Sequence, residues 1–473
     1  WSIHLMVRIQ DSQSWHRGSI PLSTTKVFSC INLDCLSLHL VLYQKATASY
    51  FFYIYVRSQM KQLYTIISLI FLFTHPAWAQ QHEILNQRIR TLEVVGGTNW
   101  LSLPVSSLGG EPIHIDFDDM THDYHRYSYK IEHCDANWNV SSSLFESDYM
   151  RGFNGSQIIE DIEQSINTNH PYTHYHLAIP NADCQLTMSG NYRLTVYDDN
   201  AENEEEGKMF TACWMITEPQ PLVKLKLEAT STTDIDIQKN HQQLKMELDH
   251  SQLRITHPNQ LNIVVLQNGR WDNAVINPKP DYVSAGKMSW QHVRALIFDA
   301  GNEYRKFEFL DTDHPTMGID AIDWDGSDYQ VKVMTDSPRP NYVYDEAAKG
   351  SFYIRNSDNV ENNNTCEYAQ IHFTLKAPKQ PGDVYLNADW TYGRFLPEYR
   401  MEFDEMTKTY HARLFMKQGY YSYQYLMKME DGSIRQLPSE GNFYQTQNKY
   451  NVLVYYRAQS DRTDRLVGYG ELK

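Results

Sequence analysis

The sequence predicts an all-β protein built from β-sandwich domains in tandem. Polar and apolar residues alternate with a period of two in many short segments, for example at 127–133 and 192–196. This alternation is typical of strands that pack one face and expose the other to water. Turn-forming pairs such as Asn268-Gly269 separate the segments. Few segments have helical periodicity, so antiparallel sandwiches are favoured over a parallel sheet.

Residues 60–79 have the three parts of a cleavable secretory signal peptide. A Met-Lys-Gln start precedes an apolar core at 63–73, and Ala-Trp-Ala at 77–79 forms a small-x-small cleavage site. The core is too short for a permanent membrane span. The next residue is Gln80 rather than cysteine, which does not fit a lipoprotein. We therefore expect export of a mature chain that begins at Gln80.

Residues 1–59 precede this segment and begin with Trp rather than Met. Their apolar stretch, 46–56, is too short to cross a bilayer as a helix. An additional membrane anchor is the alternative, but the short stretch favours a mis-annotated leader. The fold prediction therefore starts after the signal peptide.

Proline-rich segments mark the expected domain boundaries. Residues 218–221 (EPQP) follow a strand-like segment and cannot continue a sheet, because proline lacks a backbone donor. Similar segments lie at 337–340 and 377–382. We therefore expect an N-terminal β-sandwich at 80–218, a middle β domain at 219–345 and a C-terminal early-set-like sandwich at 346–473.

Composition narrows the classes of function. The chain of 473 residues has a net charge of −16, and it contains no basic cluster, so we expect no nucleic-acid partner. Four cysteines follow the signal-like segment, too few for a disulfide scaffold, and none forms a C-x-x-C pair. They are Cys134, Cys184, Cys213 and Cys366. Export permits disulfides, and one bridge among the first three is plausible, although its pairing cannot be assigned from the sequence.

No strong catalytic signature is present. The chain lacks a P-loop, a dinucleotide-binding glycine pattern and a G-x-S-x-G elbow. In residues 170–176, His174 and His176 would share one strand face and could ligate a metal, but no third and fourth ligands can be named. Paired carboxylates of a glycosidase depend on a spatial separation that sequence does not give. We predict no catalytic residue, no cofactor, no metal and no small-molecule substrate.

Two segments resemble parts of known sandwich families. Residues 419–425 (GYYSYQY), within a strand-rich region from 383 onward, resemble a late core strand of early-set sandwich modules. The Gly190-x-Tyr192 pattern resembles the tyrosine corner of immunoglobulin-like domains. Both imply a sandwich fold. Neither implies a function, because sandwiches of this shape host unrelated functions.

A third resemblance extends over essentially the whole chain after the signal-like segment. Its most specific block lies between residues 129 and 194, and residues 451–457 and 464–469 also fit. Together these segments resemble the type IX secretion system plug family, long filed as a domain of unknown function. The segments of the block are 129–138 (YKIEHCDANW), 148–154 (DYMRGFN), 165–168 (SINT), 172–175 (YTHY), 179–181 (IPN) and 189–194 (SGNYRL).

The resemblance implies a non-enzymatic periplasmic protein. Its partner would be the large outer-membrane β-barrel translocon of the type IX secretion system, whose periplasmic end it would bind and seal while no substrate is present. The family supplies no catalytic residues. A protein that blocks a channel requires a rigid body and an adhesive surface. Loops at the end of stacked sandwiches can provide the contacts with the barrel.

The candidate partner contacts lie in the loop 137–154. Trp138, Phe145, Tyr149 and Phe153 stand there among serine, asparagine and glycine, and exposed aromatic residues on loops are good interface anchors. The alternative is that Trp138 and Phe153 fold back to cap the first sandwich.

Two other functions remain open on the sequence alone. An exported glycan-binding protein would place coplanar exposed aromatics on one sheet face. A metal-dependent or carboxylate hydrolase would have a deep cleft with converging acids or histidines.

Overall fold

Nearly all regular structure is β-strand in the part of the chain that this computed structural model describes, residues 82–152 and 155–473. The strands form mostly antiparallel sheets that pack as β-sandwiches, which confirms the predicted fold class. Strands occur where apolar residues recur at every second position. In the strand Ile113–Asp119, for example, the side chains of Ile113, Ile115 and Phe117 are buried. Burial of such faces supplies the main favourable free energy of a sandwich core.

The first sandwich contains twelve strands and two one-turn helices. They are β1 (Glu83–Ile84), β2 (Ile89–Gly96), β3 (Val105–Ser107), β4 (Ile113–Asp119), β5 (Tyr127–Cys134), α1 (Glu146–Tyr149), β6 (Met150–Gly152), β7 (Gln157–Ile158), β8 (Asp161–Gln164), β9 (Thr173–Ile179), β10 (Cys184–Leu186), β11 (Gly190–Asp198), α2 (Glu204–Gly207) and β12 (Lys208–Thr217). One sheet has the order β1-β12-β11-β5-β7, with β3 beside β12, and the other has the order β2-β4-β9-β8. Strands β6 and β10 form a separate pair.

The core of the first sandwich contains the predicted tyrosine corner. The rings of Tyr192 and Trp214 stack with centroids 5.8 Å apart, and both side chains are fully buried. The Tyr192 hydroxyl donates to the carbonyl oxygen of Met188, four residues upstream, at 2.6 Å. This is the contact that defines a tyrosine corner, and it gives a buried hydroxyl its hydrogen-bond partner.

The second sandwich is assembled from two separate parts of the chain. Its sheets have the orders β13-β14-β18-β17, with β19 also paired to β14, and β16-β15-β30-β31. The strands are β13 (Lys224–Thr230), β14 (His241–Asp249), β15 (Leu261–Gln267), β16 (Val275–Ile276), β17 (Tyr282–Ser284), β18 (Lys287–Trp290), β19 (Ile297–Asp299), β30 (Tyr450–Tyr456) and β31 (Arg465–Leu472), with 3-10 turns at Pro258–Gln260 and Arg294–Leu296.

The third sandwich lies between those two parts. Its elements are β20 (Arg305–Phe309), β21 (Ile319–Trp324), β22 (Tyr329–Val333), β23 (Phe352–Ile354), α3 (Asn362–Thr365), β24 (Tyr368–Lys376), β25 (Asp383–Asn387), β26 (Glu402–Asp404), β27 (Thr409–Lys417), β28 (Gly419–Lys428) and β29 (Ile434–Gln436), with 3-10 turns at Asp389–Thr391, Pro397–Tyr399 and Pro438–Glu440. One sheet is β21-β22-β24-β27-β26; in the other, β20, β23, β25 and β29 all pair with β28. Tyr421, Tyr423 and Tyr425 of β28 are core residues, as the resemblance to a late core strand predicts.

Strand pairing differs from the predicted boundary at residues 345–346. The strand β30 pairs with β15 along its whole length, from Leu261↔Tyr456 to Gln267↔Tyr450, so the C-terminal strands complete the second sandwich. Strand β20 pairs with β28, so the third sandwich is an insertion in the second. Period-two alternation identifies a strand but not its pairing partner, and the ranges 219–345 and 346–473 therefore divide both sandwiches.

The two ends of the insertion lie next to each other. The side-chain amide of Asn448 donates to the carbonyl oxygen of Ala300 at 2.8 Å, and the backbone amide of Asn268 donates to the carbonyl oxygen of Lys449. A domain with adjacent termini can be inserted into another without separating the strands of its host.

We expect residues 82–301 joined by a short glycine-serine linker to residues 448–473 to form both the first and the second sandwich. The same fragment ending at residue 301 should leave the second sandwich unfolded, because it lacks Tyr450, Val452 and Val454 of the second core. Amide dispersion in NMR spectra and urea unfolding compare the two fragments. Equal folding of both would contradict the assignment of β30 and β31 to the second sandwich.

Candidate protein-binding site

Trp138 lies in a tight turn after β5 and is buried. Its backbone amide donates to the carbonyl oxygen of Asp135 at 3.0 Å, and its φ of 66° lies in the left-handed region. Its indole packs edge-to-face on Trp271 of the second sandwich, with ring centroids 5.9 Å apart. Trp138 thus folds back, as in the alternative, but it packs at the interface with the second sandwich instead of only capping the first. Its ring is buried and is not free to meet a partner.

Tyr149, at the end of α1, is also buried. Its hydroxyl donates to the carbonyl oxygen of Ile131 in β5 at 3.0 Å, and its ring lies 6.2 Å from that of Tyr192. Burial raises the pKa of Tyr149 to about 12. This side chain ties the loop to the first core, so the expectation that it stands exposed does not hold.

Of the three predicted contact residues that the structure describes, Phe145 is exposed, with 74% of its surface accessible. The loop beneath it is fixed: the backbone amide of Phe145 donates to the carboxylate of Asp148 at 2.8 Å, and Arg462 pairs with the same carboxylate at 2.8 Å. The hydrogen bond from Phe145, followed by that from Arg462, lowers the pKa of Asp148. Phe153 lies outside the described residues.

A second exposed apolar site lies on the loop 339–349, where the sequence predicts only a proline-rich joint at 337–340. Val343 and Tyr344 are 70% and 58% exposed. Glu303 anchors the loop before and after this exposed pair. Its carboxylate accepts a hydrogen bond from the Tyr342 hydroxyl at 3.0 Å and forms an ion pair with Lys349. The sequence signal was available in the apolar pair after Pro340, but only the anchoring contacts show that the loop is held in place.

The first and second sandwiches meet through an apolar interface. The sheet containing β15 and β30 is buried on both faces, since one face fills the second core and the other packs on β12 of the first sandwich. The hydroxyl of Tyr455 donates across this interface to the side chain of Asn191 at 2.8 Å. The interface cluster consists of Cys134, Trp138, Cys213, Met215, Val264, Leu266, Leu453, Tyr455 and Leu466.

The first and third sandwiches meet through a buried ion pair. The ammonium of Lys417 lies 2.7 Å from the carboxylate of Asp118, and each side chain is only 1% exposed. The same carboxylate accepts from the Tyr368 hydroxyl at 2.7 Å and contacts His174 Nδ1 at 2.8 Å. Lys417 also lies 4.1 Å from the ring centroid of Tyr172. A buried charge is tolerated only when paired and hydrogen-bonded in this way.

Asp118, His174 and Glu93, near this interface, have perturbed pKa values. Burial would raise the pKa of Asp118, but Lys417 and His174 hold it below its usual range. Burial would lower the pKa of His174, but hydrogen bonds with Asp116 and Asp118 raise it to about 9. Burial, and then the charge of Asp116, raise the pKa of Glu93 to about 8. At neutral pH, therefore, His174 is a cation between two carboxylates.

The cysteines of the described residues show no sign of redox or nucleophilic chemistry. All four cysteines after the signal-like segment are free and buried, and burial raises the pKa of Cys134, Cys184 and Cys366 to about 12, which disfavours the nucleophilic thiolate. Within the described residues, no group of three or more His, Cys, Asp or Glu could hold a metal ion.

Two aromatic pairs at the surface of the described residues are not coplanar, as a flat glycan-binding platform would require. The ring planes of Trp324 and Tyr329 are inclined at 60° to each other, and those of Trp100 and Tyr353 at 36°.

In the part of the chain that the structure describes, no helix is long and apolar enough to cross a membrane.

Comparison with known proteins identifies the family. A model of the first domain of the type 9 secretion system plug protein matches residues 89–218, which form most of the first sandwich. The chain is also similar to the crystal structure of a hypothetical protein from Parabacteroides merdae, with 37% identity and a TM-score of 0.78 over 83% of this chain and 99% of that one. The chain belongs to the type IX secretion system plug protein family.

The partial N-terminal region of an enterococcal surface protein aligns with 6% identity and a TM-score of 0.15 over 84% of this chain and 95% of that one, and a score this low carries no argument. A comparison with curated proteins finds no match.

In this plug family member, the interface of the first and third sandwiches should make stability depend on pH. A raised histidine pKa stabilises the fold fully below its ordinary 6.5, and this contribution is lost as the pH rises through 9. We expect the free energy of unfolding to fall by about 3 kcal/mol over this range through His174. Ionisation of Glu93, with its pKa raised from 4.5 to about 8, acts in the same direction between those values.

Urea unfolding at several pH values measures this effect. The variant His174→Gln should show a shallower fall above pH 8, whereas His292→Gln, which changes an exposed histidine of the second sandwich, should follow the wild-type profile. Identical profiles for wild type and His174→Gln would rule out His174 as the titrating group.

Proposed function

We propose that this protein is a non-enzymatic periplasmic plug that binds the periplasmic end of the large outer-membrane translocon barrel of the type IX secretion system and seals it. Family membership, through the match over residues 89–218, is the observation that carries the proposal. The signal-like segment 60–79, which lies outside the described residues, would direct the chain to the periplasm.

The interfaces between the sandwiches support a sealing role. A wide polar channel through a membrane passes small solutes unless its lumen is blocked. The blocking body must resist deformation, since any gap restores the leak. Here the apolar interface joins the first sandwich to the second, the Asp118–Lys417 pair joins it to the third, and the third is inserted in the second. Each sandwich is thereby held by both of the others.

Sealing also requires an adhesive surface, and we assign part of it to the loop 135–152. Phe145 projects from a backbone that Asp148 and Arg462 hold in place. An exposed aromatic side chain on a fixed loop loses little conformational entropy on binding, which favours it as an anchor. The buried side chains of Trp138 and Tyr149 anchor this loop, Trp138 by packing on Trp271 and Tyr149 by its hydrogen bond to Ile131. A protein that acts through shape and adhesion requires no nucleophile or cofactor.

Co-purification and a leak assay test the proposed function. The mature chain should co-purify with the translocon barrel from outer-membrane extracts. Adding it to vesicles containing the open barrel should reduce the leakage of a small dye. Recovery of polysaccharide alone, or binding without any effect on leakage, would contradict the sealing role.

We expect Phe145→Asp to weaken binding to the purified barrel by about tenfold or more, because a hot-spot aromatic contributes above roughly 1–2 kcal/mol. Tyr124→Asp is the matched control. Tyr124 is 63% exposed, but it precedes β5 whereas Phe145 follows it, so the two lie toward opposite ends of that strand. Surface plasmon resonance compares the variants. Wild-type affinity in Phe145→Asp would exclude Phe145 from the contact surface while leaving the plug function intact.

A further inference from the structure

Two histidines of the first sandwich face each other on the outer side of the sheet β2-β4-β9-β8. His114 lies in β4 and His176 in the neighbouring strand β9. Directly opposite His114 are Val95 and Ala178, neither of which offers a polar side chain. Among the described residues, His176 is the one hydrogen-bond partner of the His114 ring. The two side chains are diagonal neighbours, close enough for long side chains to interact.

His176 has a carboxylate partner on one ring nitrogen, as metal-binding histidines usually do. Its Nδ1 lies 2.7 Å from Oδ1 of Asp116, so Nδ1 carries the proton that is donated to this carboxylate. The lone pair of Nε2 can then point away from Asp116, toward His114. A carboxylate that orients a histidine through its second nitrogen is the usual outer-shell contact of a metal ligand. His174, which the sequence pattern places on the same strand face as His176, is held instead by Asp116 and Asp118.

The spacing of the two facing nitrogens fits a shared cation. His114 Nδ1 and His176 Nε2 are 3.4 Å apart, and the rings lie at 27° with centroids 5.3 Å apart. Two nitrogens bound to one tetrahedral Zn²⁺ at about 2.0–2.1 Å are separated by about 3.3 Å. Hydrogen bonds donated by N–H groups are commonly shorter, about 2.9–3.0 Å. The observed separation is thus closer to that of two ligands than to that of a strong direct hydrogen bond.

We propose that His114 and His176 form a binding site for a divalent first-row transition metal, with Zn²⁺ or Cu²⁺ as the matching ions. Imidazole nitrogen is a preferred ligand of both. No third His, Cys, Asp or Glu of the described residues joins the two nitrogens in a metal-binding group, so water completes the coordination, and the exposed Asp161 of β8, opposite His176, adds a negative charge on the same face. Since only two protein nitrogens converge, the site is weaker than a structural zinc site with four protein ligands.

The site does not depend on the plug function. Its bound ion would cross-link β4 and β9 and would thereby stabilise the folded state by mass action. Asp116 connects it to the interface of the first and third sandwiches, because the same carboxylate oxygen lies 3.3 Å from Nε2 of His174.

Calorimetric titration of the tag-free mature chain with ZnCl₂ and with CuCl₂ tests the proposal. We expect one equivalent to bind with the highest affinity. The variants His114→Ala and His176→Ala should each weaken this step by about tenfold or more, as even outer-shell changes cost about 10–100-fold. The matched control, His292→Ala, removes an exposed histidine of the second sandwich and should bind as wild type.

Electron paramagnetic resonance of the Cu²⁺ form provides a second readout. Nitrogen couplings should indicate two imidazoles in wild type and one in His114→Ala. His114 is partly exposed, so its truncation should leave the melting temperature in EDTA unchanged, and this variant remains decisive if His176→Ala fails to fold. Wild-type affinity in folded His114→Ala, or no saturable binding to wild type, would overturn the proposal and leave a hydrogen-bonded histidine pair.

Discussion

The return of the chain to the second sandwich at β30 is the constraint on which the rest of the structure depends. This strand fills the second core with Val452 and Val454 and, through its other face, packs Leu453 and Tyr455 against the first sandwich. A strand buried on both faces requires an apolar residue at nearly every position, and all seven residues of β30 are buried. Because β30 follows the third sandwich in the chain, its pairing also brings the ends of that sandwich together.

The buried charges at the interface of the first and third sandwiches have a different role from the apolar interface. Taking Asp118 and Lys417 out of water costs free energy that their attraction only partly recovers, so the pair contributes little net stability compared with an apolar contact of equal volume. Removing either partner alone would leave an uncompensated buried charge. The network of Asp118, His174, Tyr368 and Lys417 therefore favours one relative position of the two sandwiches, because other positions leave these groups unpaired.

The proposed plug function and the proposed metal site both depend on the rigidity of the sandwiches, but for different reasons. A seal requires that loops such as 135–152 and 339–349 keep a fixed position relative to each other. Hydrogen bonds to the sandwiches anchor both loops: Tyr149 of the first loop donates to Ile131, and Glu303 accepts from Tyr342 of the second. A two-histidine site requires that two strands hold their nitrogens at a fixed separation. Regular sheet pairing achieves this between β4 and β9 without any further ligand.

The sequence by itself determined the fold class, the tyrosine corner at Tyr192 and the core strand at 419–425, because each depends on a local pattern of period two or on a few neighbouring residues. It did not determine that β15 pairs with β30, from Leu261↔Tyr456 to Gln267↔Tyr450, since alternation is the same for every antiparallel partner. It could not separate Phe145 from Trp138 and Tyr149, because exposure depends on whether another element covers the side chain. Nor could it bring His114 to His176, which are neighbours only through the pairing of β4 with β9. Local periodicity determines which segments form strands. Strand pairing and side-chain burial depend on which surfaces the folded chain brings into contact.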